Sequence, residues 1–372
     1  MLKGLLLIAM TAVLAGCSML SGGDEPRYQL RSATYWIERL GRCGGRNELF
    51  GSALSRSCRK PVQAIRSMGA AAVPACVRAL KSQRAGAYGG AMAALWIYGP
   101  TAKSASPALV DMLLDFDRRK GQIASGTGNL SATASVLSTL MKIDPQSTQA
   151  LPRLTMALRQ PKPVPPAGSL PSAAYEAATS TLRWRIWRIE VAYATARLDP
   201  RNEAALVVLL DSLKYEDPEL TSLSAEQREN LKHNRPVFDE SGDFVRRGGE
   251  PVMVIADRDA AVREQAARAL QLLIPTLVPL VSDANPSVVK RIASAFQSMG
   301  ANAVPDLLSM MRRDRDPLLR RNAILALGEV GAAASTAVES LRLLREDEDE
   351  IVRAHADSLL KKLDPGYRSP SK

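Results

Sequence analysis

Two stretches near the C-terminus are near copies of each other: NPSVVKRIASAFQSMGANAVPDLLSMM from Asn285 and DPLLRRNAILALGEVGAAASTAVESLRLL from Asp316. A third, partial copy, DEIVRAHADSLLKKLDP, starts at Asp349. The starts lie 31 and 33 residues apart, and Gly300 and Gly331 are also 31 apart. In the second copy Asp316 reads as an N-cap and Pro317 as the first helical residue. Apolar or small residues at Leu319, Ala323, Ala326, Leu327 and Val330 then share one helical face. Gly331 is a helix stop. After a short Ala/Ser turn, Val338, Leu341 and Leu344 form the stripe of a returning helix. Neither helix can bury its stripe alone, so such pairs must stack on one another.

The same face recurs along the chain. It appears as Val288, Ile292, Ala295, Phe296, Met299, as Val352, Ala356, Leu359, Leu360, Leu363, and as Val262, Ala266, Ala269, Leu270, Leu273. Farther upstream it fits Ala87 to Tyr98, Ala132 to Ile143 and, more loosely, Trp187 to Leu198 and Ala33 to Leu40. It also fits Ala64 to Met68, although Pro61 falls inside that template. Returning helices are read at AVPACVRAL from Ala72, SPALVDMLL from Ser106, LPRLTMAL from Leu151, AALVVLLDSL from Ala204 and AVPDLLSMM from Ala303. Aromatic residues are only 5% of the chain, and alternating β-branched runs are scarce. The expected class is all-α, a solenoid of stacked antiparallel helix pairs.

Segments such as DPLLRRNAILALGEVG and GANAVPDLLSMM resemble HEAT-type repeats, especially the short bacterial kind. The resemblance is strongest from Asp259 to Pro365. It implies a cation after the first apolar position of each first helix. Arg263, Arg320 and Arg353 match that position, and Val289 departs from it. It also implies binding of an extended partner, while some relatives with such repeats resemble chromophore-attaching lyases.

The N-terminus divides differently. Lys3 followed by the apolar run Leu5 to Leu14 is too short to span a bilayer and reads as an export leader. Leu14-Ala15-Gly16-Cys17 resembles a bacterial lipobox, which implies cleavage before Cys17 and a diacylglycerol on its thiol. Several acyl chains give a stable anchor. By analogy with the sorting rules of such lipoproteins, Ser18 rather than Asp after the Cys favours the outer membrane if the source is a double-membraned bacterium. The expected organisation is a leader over 1–16, a lipidated tether over 17–27, helical repeats over 28–159 and a Pro-rich loop over 160–172. A divergent repeat over 173–213, an insertion over 214–257, repeats over 258–365 and a tail over 366–372 complete it. Within the insertion, SAEQRENLKH reads as a short helix, and turn signals at Glu240-Ser241-Gly242 and at Gly248-Gly249, with Val, Phe and Ile on either side, are consistent with a hairpin.

Cleavage removes only Lys3 among charged residues, taking the formal net charge from +11 to +10. Such a balance favours acidic partners, lipid head groups or acidic polymers. Of the cysteines beyond Cys17, Cys43 and Cys58 flank a Gly/Asn/Ser-containing segment that a disulfide would close in an oxidising compartment. Cys76 lies on a helical stripe as a buried thiol.

Motifs that carry chemistry are scarce in the chain. The two histidines are isolated, and no HExxH, GxSxG, CxxC or phosphate-cradling loop is present. DESGD at Asp239 lacks the ligand pattern of a calcium loop. The reading is therefore of a non-enzyme without cofactor or metal. Candidate binding cations are Arg246 and Arg247 in the insertion, Arg312 and Arg313 at the end of a returning helix, and Arg183 and Arg185 beside Trp184 and Trp187. The helical spacing places the two tryptophans on the packed side. The first expectation is a lipid-anchored scaffold that binds a protein partner in the cell envelope, facing the periplasm. The second is a binder of an acidic polymer or glycan. An enzyme or lyase-like accessory comes third, and nucleic acid is not expected for an exported chain.

Overall fold

A computed structural model describes residues 25–43, 56–82, 84, 86–115, 130–147, 149–160, 171–216, 223–232, 237, 243, 245–247, 250–313 and 316–368. Residues 56, 171–181, 228, 231–232, 247, 250–258 and 313 are described by their backbone alone. The segment read as a leader, Cys17, the part of the expected tether before Glu25, residues 161–170 of the span read as a Pro-rich loop, His233 and Asp239 lie outside the described residues.

The fold class is all-α, helix pairs of the solenoid kind, with two short hairpins among the described residues. In order the elements are β1 (Arg27–Tyr28), β2 (Arg31–Ser32), α1 (Ala33–Gly41), α2 (Arg56–Met68), α3 (Val73–Leu80), α4 (Ala87–Tyr98), α5 (Ser106–Leu114) and α6 (Leu130–Ile143). Then come α7 (Ala150–Leu158), α8 (Pro171–Leu198), α9 (Glu203–Leu213), α10 (Ala225–Lys232), β3 (Arg246–Arg247), β4 (Glu250–Pro251) and α11 (Val252–Leu277). The last five are α12 (Pro286–Met299), α13 (Val304–Arg313), α14 (Pro317–Val330), α15 (Val338–Leu343) and α16 (Glu350–Leu363). The helices form two compact units, Met1–Leu113 with Ser131–Ala150 and Leu114–Leu130 with Leu151–Lys372.

In the first unit β1 and β2 pair antiparallel, Arg27 opposite Ser32 and Tyr28 opposite Arg31. Ser32 then N-caps α1 by accepting from the Tyr35 amide at 3.4 Å. Helices α1 and α4 cross at backbone contact. A Cβ on Gly90 would lie 1.8 Å from the Ile37 carbonyl oxygen, and one on Gly41 would lie 1.8 Å from that of Gly86. The glycines thus let Ile37 and Leu40 reach full burial against α4. Pro61 sits inside α2, which runs through it. Cys76 is buried, and burial pushes its thiol up to about 12. Lys103 meets the buried Asp144 carboxylate at 3.2 Å.

In the second unit the repeat template becomes geometry. Asn285, Asp316 and Asp349 cap α12, α14 and α16, accepting from the amides of Ser287, Leu318 and Val352, each at 2.9 Å. Val288, Ile292, Ala295, Phe296 and Met299 are all buried on α12. Gly300 and Gly331 end α12 and α14 with φ of 53° and 72°, a left-handed conformation that needs no side chain. Helix α14 packs against α12, α13 and α16, so each first helix meets the next.

Three boundaries differ from the sequence reading. Helix α8 begins at Pro171, inside the span read as an extended loop. Proline is tolerated there because it occupies the first turn. Helix α11 begins at Val252, within the span read as insertion, and it runs through Pro275. The step from Val262 to Val288 is only 26 residues, against the 31 that follow, so no Gly turn separates this repeat's two helices. The short run VPL after Leu277 is all that remains of the return.

Candidate interaction site

The described surface has a cleft of about 360 Å³ between the returning helices α13 and α15 of adjacent repeats. Met311, Arg312, Ser340, Leu343 and Leu344 line it, with Arg320 and Asp347 beneath and Glu346 and Glu348 at its rim. Heptad arithmetic explains the lining. Leu341 and Leu344 lie on the buried stripe of the return, which leaves Leu343 67% exposed at the mouth. Arg312 donates to the Ser340 hydroxyl at 3.0 Å and bridges the two helices.

The base of the cleft is an ion pair. Arg320 Nε and Nη2 donate to the two Asp347 carboxylate oxygens at 3.0 and 2.7 Å, a bidentate fork. The two side chains are 7% and 8% exposed. Burial alone would raise the Asp347 carboxyl. Hydrogen bonds from Arg320 and from the Asp349 amide outweigh that and hold it below its ordinary value. Arg353 donates to the Asp347 and Glu348 carbonyls at 2.7 and 3.0 Å, tying down the segment that enters α16. These groups are locked rather than poised for proton transfer. Among the described residues no three His, Cys, Asp or Glu gather as metal ligands. The arrangement can grip a short segment carrying both an apolar side chain and polar groups.

The sequence-derived cations are scattered. Arg312 reaches the cleft. Arg313 closes α13, and only its backbone is described. Arg246 is exposed on β3, which pairs with β4 so that Arg246 faces Pro251 and Arg247 faces Glu250. The Arg183 and Arg185 side chains are half-buried on α8, with the Arg185 guanidinium 3.6 Å from the centre of the Tyr215 ring. Trp184 and Trp187 are buried. Arg188 donates to the Leu158 carbonyl at 3.0 Å, at the end of α7. Two cations of the returning helices are already paired. Arg78 pairs with Glu25 at 2.6 Å, and Arg342 pairs with Asp364 at 2.8 Å. Cys43 and Cys58 have Cα atoms 5.6 Å apart with their sulfurs in contact, within disulfide reach.

Leu343 was the residue that sequence reasoning passed over. Its signal was an apolar residue left off the stripe of Val338, Leu341 and Leu344.

Against known proteins, residues 274–361 match the family model for HEAT repeats. The match runs from the end of α11 to the last turn of α16. A solved structure titled as a crystal structure of an engineered protein aligns at 16% identity over 88% of this chain and 98% of its own, with a TM-score of 0.17. Comparison with curated proteins finds no match.

Proposed function

We propose that this chain is a helical-repeat scaffold, tethered to the bacterial outer membrane through lipid on Cys17, that captures a protein partner in the periplasm by its returning helices. One observation carries the choice of partner. The α13–α15 cleft offers an exposed Leu343 beside Arg312, and its rim is acidic at Glu346 and Glu348. An apolar anchor in a polar rim suits a protein segment. A polyanion would meet the rim carboxylates as like charges, which disfavours the acidic-polymer reading at this site. The membrane tether raises the local concentration of the scaffold for partners held at the same surface.

The test is photo-crosslinking in intact cells from position 343 of the full chain. Position 318, a similarly exposed leucine on α14, serves as the comparison. A discrete protein adduct from 343 that is absent from 318, and that a second cleft variant Arg312→Glu weakens, supports the reading. Identical adducts from both positions, or none from 343, would overturn it. For the anchor, Cys17→Ala should prevent lipid labelling and leave the leader uncut. Unchanged processing would remove Cys17 from the account.

A further inference from the structure

The first described element after the tether is the β1–β2 hairpin, and its tip has an unusual composition. Leu30 stands there with 89% of its surface exposed, the most of any large apolar residue described. Gln29 and Leu30 have φ of 46° and 64°. Both lie in the left-handed region that side-chain-bearing residues avoid. A two-residue turn of this kind favours Asn-Gly. Folding therefore explains neither the leucine nor its exposure.

The hairpin is held firmly. The Pro26 carbonyl accepts from the Ala33 amide at 2.9 Å, and the Tyr28 carbonyl accepts from Trp36 Nε1 at 3.0 Å. The Tyr28 and Trp36 rings meet edge to face with centroids 5.8 Å apart. Glu25 accepts from the Thr34 hydroxyl at 2.7 Å and from Arg78 at 2.6 Å. Arg27 and Arg31 flank the tip, and neither forms an ion pair among the described residues. The Arg31 guanidinium lies 5.1 Å from the centre of the Tyr35 ring, which is itself partly exposed.

We infer that this hairpin tip is a membrane-contact site, in which Leu30 enters the interface of an anionic leaflet while Arg27 and Arg31 take its phosphate head groups. The inference rests on the lipid-anchor reading of Cys17. Eight residue steps separate Cys17 from Glu25, a reach of at most about 28 Å at roughly 3.5 Å per step. A lipid on Cys17 thus keeps the tip close to the bilayer, and even a weak contact is then populated. The leucine supplies apolar burial, and the two arginines gain from the negative surface potential. The contact would fix the orientation of the first unit on the membrane, which a tether alone leaves free.

The test uses the full lipidated chain, Leu30→Cys carrying an environment-sensitive fluorophore, in vesicles of phosphatidylethanolamine and phosphatidylglycerol. A matched label at Leu318→Cys is the reference. The inference expects a blue shift and quenching by bromolipid at position 30 only. Both should fall to the level of position 318 when Arg27→Glu and Arg31→Glu are added or when phosphatidylglycerol is omitted. Flotation with vesicles but a water-exposed label at position 30 would refute the contact and leave the anchor standing. Failure of the wild-type chain to float would refute the anchor and the contact with it. A shift seen only on adding envelope protein, never with lipid alone, would assign the tip to a protein and refute the membrane site.

Discussion

Replacing Arg320 by Ala should loosen the last repeat while leaving the rest of the chain in place. Both members of the Arg320–Asp347 pair are nearly sealed from solvent, at 7% and 8% exposure. Truncating one member of a buried pair costs about 3–5 kcal/mol, because the other charge is left without its partner. Asp347 would keep the Asp349 amide at 2.9 Å, and Arg353 would remain on its carbonyl at 2.7 Å. That residual support points to the lower end, about 3 kcal/mol, or about a 150-fold rise in local opening at 1.36 kcal/mol per decade. In a repeat stack the loss is felt by the nearest neighbours. Hydrogen exchange followed by mass spectrometry should therefore show the increase across α15 and α16, with α1 to α4 unchanged. The double variant Arg320→Met with Asp347→Leu should recover most of the protection, since it leaves no orphan charge. Exchange on α16 that stays within about threefold of wild type, about 0.65 kcal/mol, would refute the buried-pair account, as would a double variant no better than Arg320→Ala.

The same pair sets an acid limit. Asp347 is held below the ordinary carboxylate value of 3.8, so its contribution is complete above that pH and is lost as pH falls through the lower folded value. Acid titration of α16 exchange should show wild type losing protection below about pH 4, whereas Arg320→Met has little left to lose. In the first unit, Gly90→Ala drives a Cβ to 1.8 Å from the Ile37 carbonyl oxygen and should cost at least about 1–3 kcal/mol in denaturant unfolding. Gly89→Ala, whose Cβ would meet only the Gly41 carbonyl oxygen at 4.0 Å, should be neutral or stabilising by up to about 1 kcal/mol. Peptide mapping without reductant should recover Cys43 linked to Cys58, while Cys76, with its thiol pushed up to about 12 by burial, should react with alkylating reagent only after denaturation.

The C-terminal repeats were legible because each helix there has one buried stripe and one wet face. The buried residues of α12, Val288 through Met299, are the ones the periodicity selects. The caps were legible too, since Asn285, Asp316 and Asp349 each precede a stripe and accept an amide. Helix α8 resisted reading for a physical reason. From Trp184 to Ala196 it is buried on most sides, including Glu190 and Thr195, so no polar face marks its period. The start of α11 at Val252 was not legible because VMVIAD carries β-branched residues close to Gly248-Gly249, a local strand signal in the sequence. The cleft could not be read from stripes at all. It depends on Arg312 of one repeat bridging to Ser340 of the next, a contact 28 residues apart in the chain.

The repeat arginines show where a partner should not be sought. Arg263 donates to the Tyr215 carbonyl at 2.7 Å, Arg320 to Asp347, and Arg353 to the carbonyls of Asp347 and Glu348. Where Val289 breaks the pattern, Arg291 pairs instead with Glu203. One template position therefore serves whichever neighbouring segment arrives with an acceptor, and its charge is spent inside the array. Stripe residues are likewise committed to packing. What is left for recognition is the set of apolar side chains that neither the stripe nor the caps require. Leu343 and Leu30 are two members with charged surroundings, one beside an acidic rim and one between two arginines. Their opposite electrostatic settings suit opposite neighbours. An acidic rim repels a phosphate-bearing surface and tolerates a basic or neutral protein segment, whereas flanking arginines do the reverse. The proposed partner capture and the proposed membrane contact therefore call on different residues, and each proposal can be tested without the other.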